Sequence, residues 1–486
     1  MAEFIGQVSN VLYSYILIIL LVAGGIYFTI RTKFVQFRLL KDQIKNVTEK
    51  SDDKKGTSSF QALMVSTASR VGTGNIIGVA TAIILGGYGS VFWMWVIAII
   101  GGASAFVEST LAQIYKRKGP NGCYGGPAYY IESGLKCRPL AIVFSILLIL
   151  TYGVGFNMLA SYNLQSTFAT FDFYVSGATS WVIGGVVALL VLYCLFGGGK
   201  RIIKVTSFLV PIMGVIYILV ALLMMIINVG ALPAVFARIF SEAFDFKAIL
   251  GGIFGSCLIF GIKRGLYSNE AGVGSAPNAS ASADVSHPVK QGLVQVLSVF
   301  LDTLLVCTAT AFMCMCVGLD TANFVDASGG AEAAKYVQAS LQAVFGGFGP
   351  VFIVVAMILF AFTTLIGNLF YVEKALIHVF KKDPPKWVSE ALYLVFALLI
   401  FIGAGLKAGV LWDIADILMG LMALVNIPVI IILGKHAYNA LNDYISQKKQ
   451  GKDPTFLAKT IGLEGKVDYW QEDKDGDVDI VADRVE

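Results

Sequence analysis

Ser69-Arg70-Val71-Gly72-Thr73-Gly74-Asn75 stands in the middle of an otherwise apolar run, residues 60–85, and the reading of that heptapeptide decides the fold. An unbroken membrane helix favours Leu or Ile at such a depth, whereas this stretch supplies two glycines, two hydroxyls, an amide and a cation. It predicts a helix interrupted halfway across. The freed peptide N–H and C=O groups must then face protein, an ion or a polar substrate, because lipid cannot satisfy them. Close helix–helix packing by the glycines is the alternative reading. The spacing Gly72-x-Gly74-x-x-x-Gly78 does not fit a dinucleotide fingerprint, and no βαβ pattern surrounds it.

A second irregular segment lies further along: Gly251-Gly252-Ile253-Phe254-Gly255-Ser256-Cys257-Leu258-Ile259-Phe260-Gly261, followed by Lys263-Arg264-Gly265. Around these two, apolar runs of spanning or near-spanning length fall at 12–30, 60–85, 91–114, 140–162, 181–196, 208–227, 249–262, 294–317, 351–372, 388–402 and 410–433, which makes eleven predicted transmembrane helices. With the first set aside, ten remain in two groups of five, and an odd number forces the second group through the membrane in the opposite sense. The two irregular segments open the two groups. An all-α polytopic membrane protein follows, with one N-terminal helix plus a 5+5 inverted repeat containing two broken helices, a build common among secondary transporters. The expected divisions are an extra helix at 1–31, a basic loop at 32–58, repeats at 59–230 and 245–435, and a polar tail at 436–486.

Composition agrees with a bilayer environment: 57% of the 486 residues are hydrophobic, 14% are charged, and mean hydropathy is +0.75. Positive charge orients the chain. With the N-terminus outside and the C-terminus cytoplasmic, 31 of the 36 Lys and Arg residues fall in cytoplasmic segments; Arg238, Lys247, Lys335 and Lys407 lie outside and Arg70 within a span. A multi-pass protein of the cell membrane is expected, and the first apolar run, Leu12 to Ile30, lacks the basic n-region of a cleavable signal. The tail from Lys435 reads as solvated, and its Asp473, Asp475, Asp477 and Asp479 do not make a calcium loop, since Val478 stands where Gly is required.

Seven cysteines without a C-x-x-C pair give no disulfide framework or metal knuckle, and His287, His378 and His436 are scattered, which argues against an enzyme and against any metal or organic cofactor beyond a coupling cation. A channel or uncoupled facilitator is the alternative to a transporter. A channel would show a polar pore-lining stripe or charged ring, whereas polarity here concentrates at the two breaks. Half-helix N-termini attract a carboxylate and freed carbonyls coordinate Na⁺, so a zwitterionic amino acid with a cation suits the site.

Arg70-Val71-Gly72-Thr73-Gly74-Asn75-Ile76-Ile77-Gly78-Val79-Ala80, Phe92-Trp93-Met94-Trp95, Gly125-Gly126-Pro127-Ala128-Tyr129-Tyr130-Ile131 and Ser268-Asn269-Glu270-Ala271-Gly272-Val273-Gly274-Ser275-Ala276-Pro277 resemble the alanine or glycine:cation symporter family, along nearly the whole chain. The resemblance implies a leucine-transporter-like fold and Na⁺-coupled, or H⁺-coupled, uptake of alanine, glycine or related amino acids by a monomeric transport unit. It implies a sodium site at the carbonyls of Ala68, Val71 and Phe360 and the hydroxyls of Thr363 and Thr364. Substrate carboxylate is expected at the backbone of Gly72, Thr73 and Gly74 beside Asn75, with Asn157, Ser256, Phe260 and Asn368 around it. Back-bonding to the preceding helical turn is the other role open to the two threonines.

Departures from the family pattern cluster near that pocket: Ala160 and Tyr162 in place of a Gln-x-Asn pair, Asn368 where many members carry Trp, and Asn278-Ala279-Ser280 where a His is common. They widen the expected substrate from alanine or glycine to neutral amino acids as large as glutamine. Arg70, Glu108, Asp302 and Glu373 must face the bundle interior, a partner or the interface. Glu270 is expected to pair with Lys263, Arg264 or Arg70 in a cytoplasmic gate, a structural ion pair being the alternative, and Asp302 is either a second cation or proton site or a buried hydrogen-bond acceptor.

Overall fold

The computed structural model describes residues 2–49, 56–119, 122–175, 177–245, 257–327, 329–472 and 478–479. Nine helices among them are long and apolar enough to cross a membrane: α1 Phe4–Arg31, α4 Gly89–Ile114, α5 Arg138–Ser166, α6 Ala178–Leu195, α7 Gly198–Ile227, α9 Pro288–Met315, α10 Phe348–Phe380, α11 Lys386–Ala404 and α12 Ala408–Lys449. A tenth span is the pair α2, Ser59–Arg70, and α3, Gly74–Gly86, bent by 50° at the break between them. A shorter helix, α8, runs from Cys257 to Asn269. These ten match ten of the eleven expected runs; most of the other, 249–262, lies outside the described residues.

Local chemistry accounts for the interrupted span. Ser58 opens α2 with a reciprocal capping box to Gln61, so the helix starts cleanly. It stops when Val71 turns to φ −77° and ψ 87°, which takes its carbonyl out of the helical ladder. Asn75 then substitutes for the missing turn: its Oδ1 accepts from the Gly72 N–H at 2.8 Å.

Of the second expected interruption, 251–261, only the C-terminal part falls within the described residues. Residues 251–256 lie outside the described set, but Cys257–Gly261 is helical and belongs to α8. Gly261 and Gly265, four apart, let α8 lie against α4: a Cβ at 261 would come 2.5 Å from the Ser90 carbonyl oxygen, and one at 265 would come 2.6 Å from Ile97. Packing, rather than unwinding, explains these two glycines. The irregular described backbone comes after Asn269, where Glu270, Gly272 and Gly274 have φ of +53°, +83° and +91°, before a single turn at Pro277–Ser280.

The tail also corrects the reading of a solvated polar end. Phe456, Ala458, Leu463, Val467, Tyr469 and Trp470 are all buried, because the chain folds back after α12. Trp470 Nε1 donates to the Gln113 carbonyl at 2.8 Å, and the Lys116 ammonium lies over the Tyr469 and Trp470 rings. Asp453 pairs with Lys290 at 3.1 Å and Asp468 with Arg117 at 2.9 Å. Aromatic residues hidden in a polar composition supply the docking energy. Trp470→Ala should release this segment at a cost of roughly 3 kcal/mol, read as faster amide exchange across 453–471 with the protection of α4 and α9 unchanged.

Candidate functional site

The break between α2 and α3 is held from three sides. Besides capping Gly72, Asn75 donates from Nδ2 to Asp302 Oδ1 at 2.7 Å and Ser268 Oγ at 3.0 Å, which ties the first break to α9 and to the end of α8. Asp302 also accepts from Ser268 and Thr303, each at 2.7 Å, so three donors stabilise its carboxylate. Thr73 Oγ1 accepts from Asn163 Nδ2 at 3.1 Å. The span Phe300–Cys307 around Asp302 is π-helical, a local widening common at functional sites.

On the other side α10 closes on the break. Thr364 Oγ1 donates to the Ala68 carbonyl at 3.1 Å, while Thr363 Oγ1 contacts the Leu359 and Phe360 carbonyls at 2.9 and 3.1 Å. A side chain at Gly72 would run into Thr364 Oγ1, so glycine is required for this approach. The structure therefore brings Ala68 and Gly72 against Thr364, with Val71 between them in the chain, Thr363 next to Thr364 and Phe360 one turn earlier on α10. Thr363 makes the back-bond to that turn, whereas Thr364 points across to α2.

Between these elements lies a cavity of about 10 Å³ lined by Ser69, Arg70, Gly72, Thr73, Gly74, Phe156, Tyr267 and Thr364. Tyr267 covers it: a Cβ at Gly74 would come 2.5 Å from this ring, which packs on Phe156 at 4.6 Å and on Trp412 at 4.9 Å between centroids. An amide relay runs along its edge. Ser69 Oγ lies 2.6 Å from Asn368 Oδ1 and 3.1 Å from Glu270 Oε1, sharing its one proton between them. Asn368 Nδ2 in turn donates to Asn157 Oδ1 at 2.9 Å. Phe260 stands apart from this group, against Gly86 at the far end of α3. Ser256 lies outside the described residues.

Charged residues divide into two sets that the expected gate had mixed. Lys263 and Arg264 do not reach Glu270; Arg264 pairs with Asp416 at 2.7 Å and stacks over Trp412, and Lys263 lies 4.0 Å from the same carboxylate. They are buried in α8 rather than placed in a solvated loop. Glu270 is buried beside the first break and accepts from Ser275 at 2.6 Å as well as from Ser69. Arg70, 2% exposed, donates from Nη1 to Gln295 Oε1 at 3.0 Å and makes no ion pair with Glu270 among the described residues, leaving Nε and Nη2 without a hydrogen bond. Glu108 braces the second irregular segment: Gly272 N–H donates to its Oε1 at 3.2 Å and Asn426 Nδ2 to its Oε2 at 2.8 Å. Tyr130 completes this brace by donating to Asn426 Oδ1.

A family model described as the sodium:alanine symporter family matches residues 1–458. The chain belongs to the sodium:alanine symporter family. It is 43% identical over 466 residues to the amino-acid carrier protein AlsT of Bacillus subtilis, covering 96% of this chain and 97% of that one. It is likewise 43% identical over 471 residues to the probable sodium/glutamine symporter GlnT of the same organism, covering 96% and 95%. The crystal structure of MhsT in complex with L-phenylalanine superposes with a TM-score of 0.56 at 16% identity, over 81% of this chain and 93% of that chain, which shows a shared fold. A sodium:alanine symporter is a transporter rather than an enzyme, and the family's apolar helices make this a multi-pass membrane protein.

Within this member of the sodium:alanine symporter family, sequence reasoning passed over Tyr267, Phe156, Ser69 and Asn163 as site residues. Asn163 carried a legible signal, since Asn163-Leu164-Gln165 puts two amides three residues beyond Ala160 and Tyr162, the positions of the family's Gln-x-Asn pair. Tyr267 had none, because an aromatic residue in an apolar helix reads as core. Asn75→Ala should leave the Gly72 N–H and Asp302 short of partners, a loss of about 1–3 kcal/mol seen as a lowered melting temperature and at least a tenfold fall in uptake. Unaltered uptake would show that the cap is dispensable.

Proposed function

We propose that this chain is a secondary active symporter that couples Na⁺ entry to uptake of a small neutral amino acid by alternating access. The observation that carries the reading is the break at 71–73, where backbone groups leave the helical ladder beside a buried cavity and the Thr364 hydroxyl. Hard oxygens at Ala68, Val71, Phe360, Thr363 and Thr364 suit an alkali cation that sheds its water. The N-terminus of α3, presenting Thr73, Gly74 and Asn75, suits a carboxylate. Asn157 and Asn368 are the neighbouring polar groups that would sense what the substrate carries beyond it.

In this reading the eleven spans form one N-terminal helix and a 5+5 inverted repeat, the unassigned span falling at 249–262, in a monomeric transport unit. The N-terminus is outside and the C-terminus cytoplasmic, as the distribution of Lys and Arg supports. The names of the family and of one relative bracket the cargo between alanine and glutamine. Because 10 Å³ holds about one water, admission of either requires Tyr267 and Phe156 to withdraw. The stack of Tyr267, Trp412 and Arg264 on Asp416 forms one wall of that gate, and Arg70 and Glu270 face the opposite approach.

Purified protein in liposomes should accumulate labelled alanine or glutamine under an inward Na⁺ gradient; accumulation driven only by a proton gradient, or uptake indifferent to every gradient, would overturn Na⁺ coupling. Thr364→Ala should weaken apparent Na⁺ affinity about tenfold or more while leaving the order of preferred amino acids unchanged. Asn368→Trp, which replaces the amide linking Ser69 to Asn157, should shift preference toward the smallest substrates in competition assays.

A further inference from the structure

Away from the transport pathway, a second cavity of about 550 Å³ opens where the C-terminal segment meets the bundle. Besides Tyr115 at the end of α4, three separate stretches of chain build it: Ser133, Gly134 and Lys136 just before α5; Lys435, His436 and Asn439 on α12 just past its apolar run; and the docked tail between Ile461 and Lys466. Each stretch places a lysine on the cavity, and no Asp or Glu lines it. None of the three lysines makes an ion pair within 4.0 Å among the described residues; of the acids nearby, Glu132 is engaged with Arg138 and His378 and Asp468 with Arg117, and Glu464 of the tail stretch does not line the cavity. His436 uses Nδ1 on the Tyr115 hydroxyl at 2.9 Å, so Nε2 is the ring nitrogen left for a ligand.

Retention of positive charge on the cytoplasmic side accounts for lysines scattered over that face, but not for three from distant parts of the sequence converging on one concave site without a balancing carboxylate. A tetrahedral dianion recruits several ammonium groups at once, and the volume suits a ligand larger than a lone ion. We propose that this cavity binds a phosphate-bearing anion, with Lys136, Lys435 and Lys466 as its charge partners and the tail as its movable wall. Ligand binding and tail docking are thereby coupled, since Lys466 reaches the site only when residues 453–471 are folded back. The site lies at the foot of two membrane helices, so the phosphate can come from an anionic lipid headgroup or from a free phosphate compound.

The test uses full-length protein in a neutral detergent at constant ionic strength, titrated separately with short-chain phosphatidylglycerol, short-chain phosphatidylcholine and inorganic pyrophosphate. Wild-type protein should show saturable thermal stabilisation with phosphatidylglycerol, pyrophosphate or both, and the effective one names the source. The triple variant K136Q/K435Q/K466Q should need at least tenfold more ligand, whereas K386Q, which removes an exposed lysine elsewhere, should behave as wild type. Amide exchange in 458–466 should slow on addition of the effective ligand. Stabilisation equal in wild-type and triple-variant protein, a response to phosphatidylcholine as large as that to phosphatidylglycerol, or no stabilisation by any of the three overturns the proposal. Should the triple variant fail to fold, K466Q alone, on the tail, serves as the decisive variant.

Discussion

A peptide group inside the membrane must find a partner, and the rest of this structure is organised around the few that leave their helix to do so. At the first break Asn75 replaces the lost helical turn for Gly72 and passes the remaining demand to Asp302 and Ser268. At the second irregular segment Glu108 and Asn426 do the equivalent work for Gly272. Each break is thus supported by a carboxylate from an unbroken helix, Asp302 or Glu108, together with an amide, Asn75 from the broken span itself at the first and Asn426 from α12 at the second.

Charge follows the same economy. Arg70 is buried beside the first break, yet its one hydrogen bond goes to Gln295 and among the described residues it makes no ion pair with Glu108, Glu270 or Asp302. A buried guanidinium with free donors is thus left beside the break rather than locked into an ion pair. The Arg264–Asp416 pair, packed on aromatic rings, is a separate fixture on the other side of Tyr267. Arg70 on the cavity lining and the Arg264–Asp416 pair behind Tyr267 are two separate electrostatic fixtures around one cavity.

Much of this was legible in the residues. The interrupted span is written in Arg70-Val71-Gly72-Thr73-Gly74, because no regular helix in lipid tolerates that composition, and the closeness of Thr364 to Ala68 followed from matching the motif to its family. The stretch Cys257–Gly261 was read as part of a break and is helical, because glycine serves both unwinding and tight packing, and Gly261 and Gly265 serve the latter. Lys263 and Arg264 looked like a loop because their partner, Asp416, lies 152 residues from Arg264. The docked tail escaped notice because a few buried aromatics in a charged stretch leave the average composition polar. Tyr267 could not be singled out, since its role comes from position alone.

The folded-back tail changes what the end of this chain can be used for. Residues 453–470 are stapled to Gln113, Lys116, Arg117 and Lys290, elements that continue directly into α4 and α9. A fluorescent protein or affinity handle joined directly after Trp470 is carried on the bundle itself. Its orientation reports the attitude of those two helices, and its bulk presses on them.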